Sequence, residues 1–109
     1  MNLYVETKED GNTQEVKLSG EIDAYTAPKL KEALLPLIEI KGTEVVVNME
    51  DVSYMDSTGL GVFIGALKSS DANNSKLRLI CLQDRVRRLF DITGLDGIIN
   101  IDSSVRGGK

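Results

Sequence analysis

Apolar residues in this chain switch repeatedly between the two-residue spacing of a strand and the three-to-four-residue spacing of a helix, and that order constrains the fold more than any other feature. Val16, Leu18 and Ile22 alternate with Glu15, Lys17, Ser19 and Glu21, the pattern of a strand with one face buried. A shorter alternation at Leu3 and Val5 precedes it, and Asp10-Gly11 between them reads as a hairpin turn. Thr26 stands where a helix cap belongs and Pro28 fits its first turn; Leu30, Leu34 and Leu37 or Ile38 then recur at helical spacing. Pro36 comes too late for that exemption, so the helix is expected to bend or loosen near Leu35.

Val45-Val46-Val47 is apolar without alternation, which suits a central strand covered on both faces. Leu60, Phe63, Ile64 and Leu67 make a second helical stripe, with Gly61 and Gly65 leaving a smooth flank for close approach by a neighbour. Leu77, Leu79 and Cys81 give the next strand, and Cys81, lying in an apolar run, is expected to be a buried thiol. Arg85 to Ile92 is a third helix, with Val86, Leu89 and Phe90 inward, Arg85, Arg87 and Arg88 outward and Gly94 as its stop. Ile98, Ile99 and Ile101 are the last strand, and residues 102–109 are expected to fray or form one short helix. The order strand, strand, helix, strand, helix, strand, helix, strand describes an α/β fold: a mixed central sheet with an N-terminal antiparallel hairpin, parallel crossover units and helices packed on it. At 109 residues it is read as a single domain, 1–109, able to bury about 60 to 70% of its unfolded surface.

Composition excludes more than it proposes. The chain has no histidine, which removes the commonest general base and most zinc sites and leaves catalysis to carboxylates alone; no metal, no cofactor and no enzymatic activity are expected. Seventeen acidic against thirteen basic residues leave a net charge of −4, the wrong balance for nucleic acid. The N-terminus lacks a leader pattern, and the longest run without a polar residue, Gly59 to Leu67, is about half a membrane span, so no membrane association is expected. One cysteine precludes an internal disulfide and fits the reducing cytoplasm.

In α/β sheets of this kind sites gather at the carboxyl ends of strands. Two segments with unusual polar residues end there, Gly20-Glu21-Ile22-Asp23 and Asp51 through Ser57, so Asp23 and Ser57 are expected on one rim. Asp56, Ser57 and Thr58 are all competent helix caps, yet a cap needs one such side chain and here three stand together, followed at once by Gly59 and Gly61. A helix start offers unpaired N–H groups and partial positive charge, which would accommodate a phosphoryl group on that hydroxyl pair. Gly59, Gly61 and Gly65 do not match the dinucleotide fingerprint, and no lysine follows to make a phosphate loop. Ser57 lacks the glycine two residues earlier that a hydrolase nucleophile requires. A different class of function, a nucleotide- or cation-binding phosphate carrier, would use Asp23, Asp51 and Asp56 as ligands.

The stretch Asp51-Val52-Ser53-Tyr54-Met55-Asp56-Ser57-Thr58-Gly59-Leu60-Gly61, with Gly20-Glu21-Ile22-Asp23 ahead and Arg88-Leu89-Phe90-Asp91-Ile92-Thr93-Gly94-Leu95 behind, resembles the anti-sigma factor antagonists. These are stand-alone members of the STAS domain family, and over nearly its whole length the chain is most like those acting on the general-stress anti-sigma-B factor of Gram-positive bacteria. The resemblance implies a mixed sheet with helices packed on it and a partner-switching cycle. The unmodified antagonist binds an anti-sigma factor with serine kinase activity and frees the sigma factor; phosphorylation of Ser57 ends the binding, and a serine phosphatase restores it. It also implies partner contact through Asp23, Asp56, Ser57, Thr58, Gly59, Leu60 and Gly61, with Thr58 a minor phosphate acceptor. An Asp23 at such a contact would contribute to binding without contributing to stability.

Overall fold

A computed structural model of the protein describes residues 2–102. Five strands, β1 (Leu3–Asp10), β2 (Thr13–Ile22), β3 (Glu44–Met55), β4 (Lys76–Ile80) and β5 (Asn100–Asp102), form one sheet in the order β1-β2-β3-β4-β5. The β1–β2 hairpin is antiparallel and every other pairing is parallel. Three helices, α1 (Ala27–Ile38), α2 (Ser57–Asn73) and α3 (Asp84–Thr93), are the crossovers. This is the mixed α/β fold that the periodicity predicts, with β3 at the centre.

Because each crossover joins a strand to its next neighbour in the same direction, a common right-handedness puts all three helices over one face. A single core results: Val16, Leu18 and Ile22 from β2, Val45, Val47 and Met49 from β3 and Leu77 and Leu79 from β4 meet Leu30, Leu34, Leu60, Phe63, Val86 and Phe90 from the helices. Val45–Val47 is buried on both faces as expected, but by different means on each. Val46 points to the helix-free face, between Glu15 and Arg78 on the flanking strands, and is buried without belonging to the core. Long side chains cover it: Arg78 pairs with Glu44 at 3.9 Å, and its Nε is buried with no hydrogen-bond partner.

Several local expectations are corrected. Helix α1 extends without a break to Ile38, with the exposed Pro36 inside it, so the expected loosening near Leu35 does not end the helix. Cys81 lies outside β4, half-buried at φ +61, in the bend that turns the chain toward α3. A short 3₁₀ turn, Leu95–Gly97, follows the Gly94 stop, Ile98 is exposed, and β5 begins only at Asn100. The expectation for 102–109 touches the structure only at Asp102, which ends β5; the rest lies outside the described residues.

The unequal lengths of the central strands position the rim at the ends of β2 and β3. Strand β4 ends opposite Asn48, whereas β3 continues to Met55 paired with β2 alone. Along that extension the β2–β3 register shifts twice, between Lys17 and Ser19 and between Gly20 and Glu21. Gly20, at φ +118, makes the second shift possible; a Cβ there would collide with the Asn2 carbonyl. The Gln83 side chain donates to the Glu50 carbonyl at 2.9 Å, tying the entrance of α3 to the same extension.

Candidate functional site

The carboxyl ends of β2 and β3 lie side by side. Ile22 pairs with Met55, and the Asp56 N–H donates to the Ile22 carbonyl at 3.2 Å, so the loops leaving both strands emerge together and Asp23 and Ser57 share a rim.

From β3 the chain enters α2 at once. Asp56 is the cap: extended at φ −110 and ψ −172, its Oδ1 accepts from the N–H groups of Thr58 (2.9 Å) and Gly59 (3.3 Å). Of three candidate caps the structure uses one. That releases Ser57, the first helical residue, whose side chain is exposed and whose hydroxyl makes no hydrogen bond among the described residues. The expectation that this helix start holds open amides for a phosphoryl group is narrowed in the same stroke. The Asp56 carboxylate already takes two of them.

Gly59 is buried where α2 presses on the sheet; a Cβ would lie 2.6 Å from Met55 Cγ and 2.7 Å from Ile22 Cγ2. Leu60 points into the core at 6% exposure. Thr58 and Gly61 are exposed. They border a groove of about 450 Å³ between α1 and α2, lined by Lys31, Leu35, Thr58, Gly61, Gly65 and Ser69 among others. Both glycines face open space: a methyl group added to either would meet no atom within 4 Å.

On the other loop Asp23 and Thr26 hold one another. Asp23 Oδ1 accepts from Tyr25 N (2.9 Å) and Thr26 N (3.0 Å), the Asp23 N–H donates to Thr26 Oγ1 (2.9 Å), and that hydroxyl donates to the Glu21 carbonyl at 2.8 Å. Thr26 is already helical at φ −97 and makes no side-chain cap bond to α1, so the cap expected of it is replaced by this Asp23-centred turn. Both residues are 6% exposed. Asp23 is therefore an internal strut of the rim, and the expectation that it adds nothing to stability is corrected. Asp23→Ala strands two N–H groups and should lower stability by about 1–2 kcal/mol, measured as a reduced midpoint in denaturant at constant slope.

The rim's seven sequence-expected residues thus divide. Ser57, Thr58 and Gly61 are exposed, Asp56 is half-buried, and Asp23, Gly59 and Leu60 support the surface from beneath. Missed by the motif were Tyr25, 89% exposed on the Asp23 turn, and the α1 side of the groove, Lys31 and Leu35. The three-residue spacing of Asp23 and Thr26 was a signal for the turn and hence for an outward Tyr25.

The carboxylates of the alternative carrier reading do not converge. Asp23 serves its turn, Asp56 caps α2, and Asp51 pairs with Lys17 at 3.4 Å on the open surface. No cluster of three metal-ligating side chains occurs among the described residues, and no helix among them is long and apolar enough to cross a membrane.

Comparison with known proteins agrees with this architecture. The STAS domain profile matches residues 4–107. The chain is 48% identical to the anti-sigma-B factor antagonist of Bacillus subtilis (strain 168) over 108 residues, 99% of this chain and 98% of that one. It is 45% identical to the anti-sigma-B factor antagonist of Staphylococcus aureus (strain NCTC 8325 / PS 47) over 102 residues, 94% of each. A crystal structure of an anti-sigma factor antagonist from Mycobacterium paratuberculosis shares the fold, with a TM-score of 0.84 at 20% identity over 98% of this chain and 91% of that one. With fold, motif and overall similarity in agreement, the chain belongs to the STAS domain family, among the anti-sigma factor antagonists.

Proposed function

We propose that this protein is a cytoplasmic anti-sigma factor antagonist, one STAS domain over 1–109, that works by binding rather than catalysis. Its unmodified rim docks on an anti-sigma factor that is also a serine kinase, and the sigma factor is released to activate transcription. The kinase phosphorylates Ser57 and ends the contact; a serine phosphatase restores it. Relatives at 45–48% identity named anti-sigma-B factor antagonists support the partner class.

The observation that carries the reading is the exposed Ser57 hydroxyl directly beside the Asp56 cap. Transfer from ATP would join the γ-phosphorus to Ser57 Oγ, break its bond to the ADP oxygen and release the hydroxyl proton. The product adds about −1.5 to −2 charge. The helix start returns about 0.3–2 kcal/mol of attraction, but the Asp56 carboxylate repels the new charge and already occupies the Thr58 and Gly59 amides. In water these effects nearly cancel. Covered by a partner, the phosphate loses solvation and, unpaired, costs several kcal/mol.

The labelling pattern tests this. With radiolabelled ATP alone the chain should stay unlabelled; with ATP and the anti-sigma kinase it should take up about one phosphate per chain, and Ser57→Ala should bind the kinase normally while remaining unlabelled. Self-labelling would favour the carrier reading, and no labelling under any condition would leave a scaffold.

A further inference from the structure

We propose that Tyr25 is the aromatic anchor by which this rim recognises its anti-sigma partner, and that Asp23 acts on binding through Tyr25, by fixing the turn that presents it. The proposal rests on the function given above and extends it to the residue that supplies affinity.

Tyr25 is 89% exposed, more than any other large apolar or aromatic side chain on the described surface. Exposed apolar residues are ordinary when isolated; the setting of this one is not. Tyr4, also exposed, has its ring covered by the Lys29 ammonium at 5.7 Å. No such neighbour covers the Tyr25 ring among the described residues. Its backbone is nevertheless held on both sides: its own N–H and that of Thr26 go to the buried Asp23 carboxylate, and the Thr26 hydroxyl ties the turn back to Glu21 at the end of β2. That strand end is in turn bonded to the entrance of α2 through the Asp56 N–H and the Ile22 carbonyl.

The buried network therefore ends in a projecting phenol on the rim that carries Ser57. A tyrosine on a preorganised backbone loses little freedom when bound and brings a large apolar face with a hydrogen-bonding tip, the profile of an interface hot spot. The acidic side chain nearest to it in sequence is consumed internally, so the contact it offers is apolar. The complementary feature on the partner is an apolar cleft with a hydrogen-bond acceptor at its floor.

The test is calorimetric titration of the intact anti-sigma kinase with the parent chain, Tyr25→Ala, Tyr25→Phe and Ser57→Asp, together with phosphorylation kinetics. Tyr25→Ala should weaken binding by about tenfold or more with its melting temperature unchanged, and should raise KM for Ser57 phosphorylation while leaving kcat intact. Tyr25→Phe should stay within about threefold of the parent, since the ring supplies most of the buried area. If Tyr25→Ala binds like the parent while Ser57→Asp does not, the anchor is wrong and the switch stands. If the parent itself fails to bind, the functional reading falls and the anchor with it.

Discussion

Replacing Ser57 with aspartate is expected to weaken the complex with the anti-sigma kinase on the order of a hundredfold while moving the melting temperature by no more than a few degrees. The asymmetry comes from where the charge sits. In the free protein an aspartate at the first position of α2 is solvated, gains from the helix dipole and is opposed by Asp56, contributions of about 0.3–1 kcal/mol that offset one another. In the proposed complex the same carboxylate would be stripped of water, with the Thr58 and Gly59 amides already committed to Asp56, and every 1.4 kcal/mol lost is about tenfold in affinity. Calorimetry and a thermal melt on the same sample check both halves. Parent-like affinity would show that the rim is not covered in the complex, and a large fall in melting temperature would show that Ser57 is a structural residue.

Phe63→Ala is expected to have the largest effect on stability, about 3–5 kcal/mol. Phe63 of α2 is fully buried and meets Phe90 of α3 edge-on, ring centroids 6.0 Å apart at 62°. This pair joins two of the three helices over the centre of the sheet, and truncation leaves a cavity whose lining comes from several elements and cannot close easily. Against a total stability of about 5–15 kcal/mol the loss should lower the melting temperature by more than about 10 °C. At a temperature where the variant remains folded, its affinity for the partner should stay within a few-fold of the parent, because Phe63 is fully buried and forms no part of the exposed rim proposed to dock. A loss below about 1 kcal/mol would contradict the packing described.

How much of this was legible in the sequence depended on what kind of information each residue carried. Alternation and helical spacing report which face a side chain takes, so the order of elements, the hairpin, the central place of Val45–Val47 and the Gly94 stop followed from them. Periodicity does not report what covers the second face of a sheet. Val46 is as apolar as its neighbours, and it lies between Glu15 and Arg78 of the flanking strands rather than under a helix. The length of β3 was hidden because two register shifts break the alternation across 49–55.

At the site, parallel strand ends made the shared rim of Asp23 and Ser57 deducible from topology. Orientation was not deducible from a motif, which treats its members alike. Leu60 belonged to the inward stripe on its own spacing and lies in the core, and Gly59 is small because Met55 and Ile22 press on it. Asp23 was expected as a partner contact, and its carboxylate is buried and closes a turn. Tyr25 carried no motif, and its exposure follows only from that turn.

The central claim is that a phosphate on Ser57 costs little on the free protein and a great deal under a partner. It is tested most directly by titrating the anti-sigma kinase with two preparations of the chain, unmodified and stoichiometrically phosphorylated at Ser57, and comparing their melting temperatures in the same buffer. The expected result is an affinity lower by on the order of a hundredfold to a thousandfold for the phosphorylated form, with the two melts nearly superimposed. Equal affinities, or a phosphorylated form that no longer melts cooperatively, would contradict it.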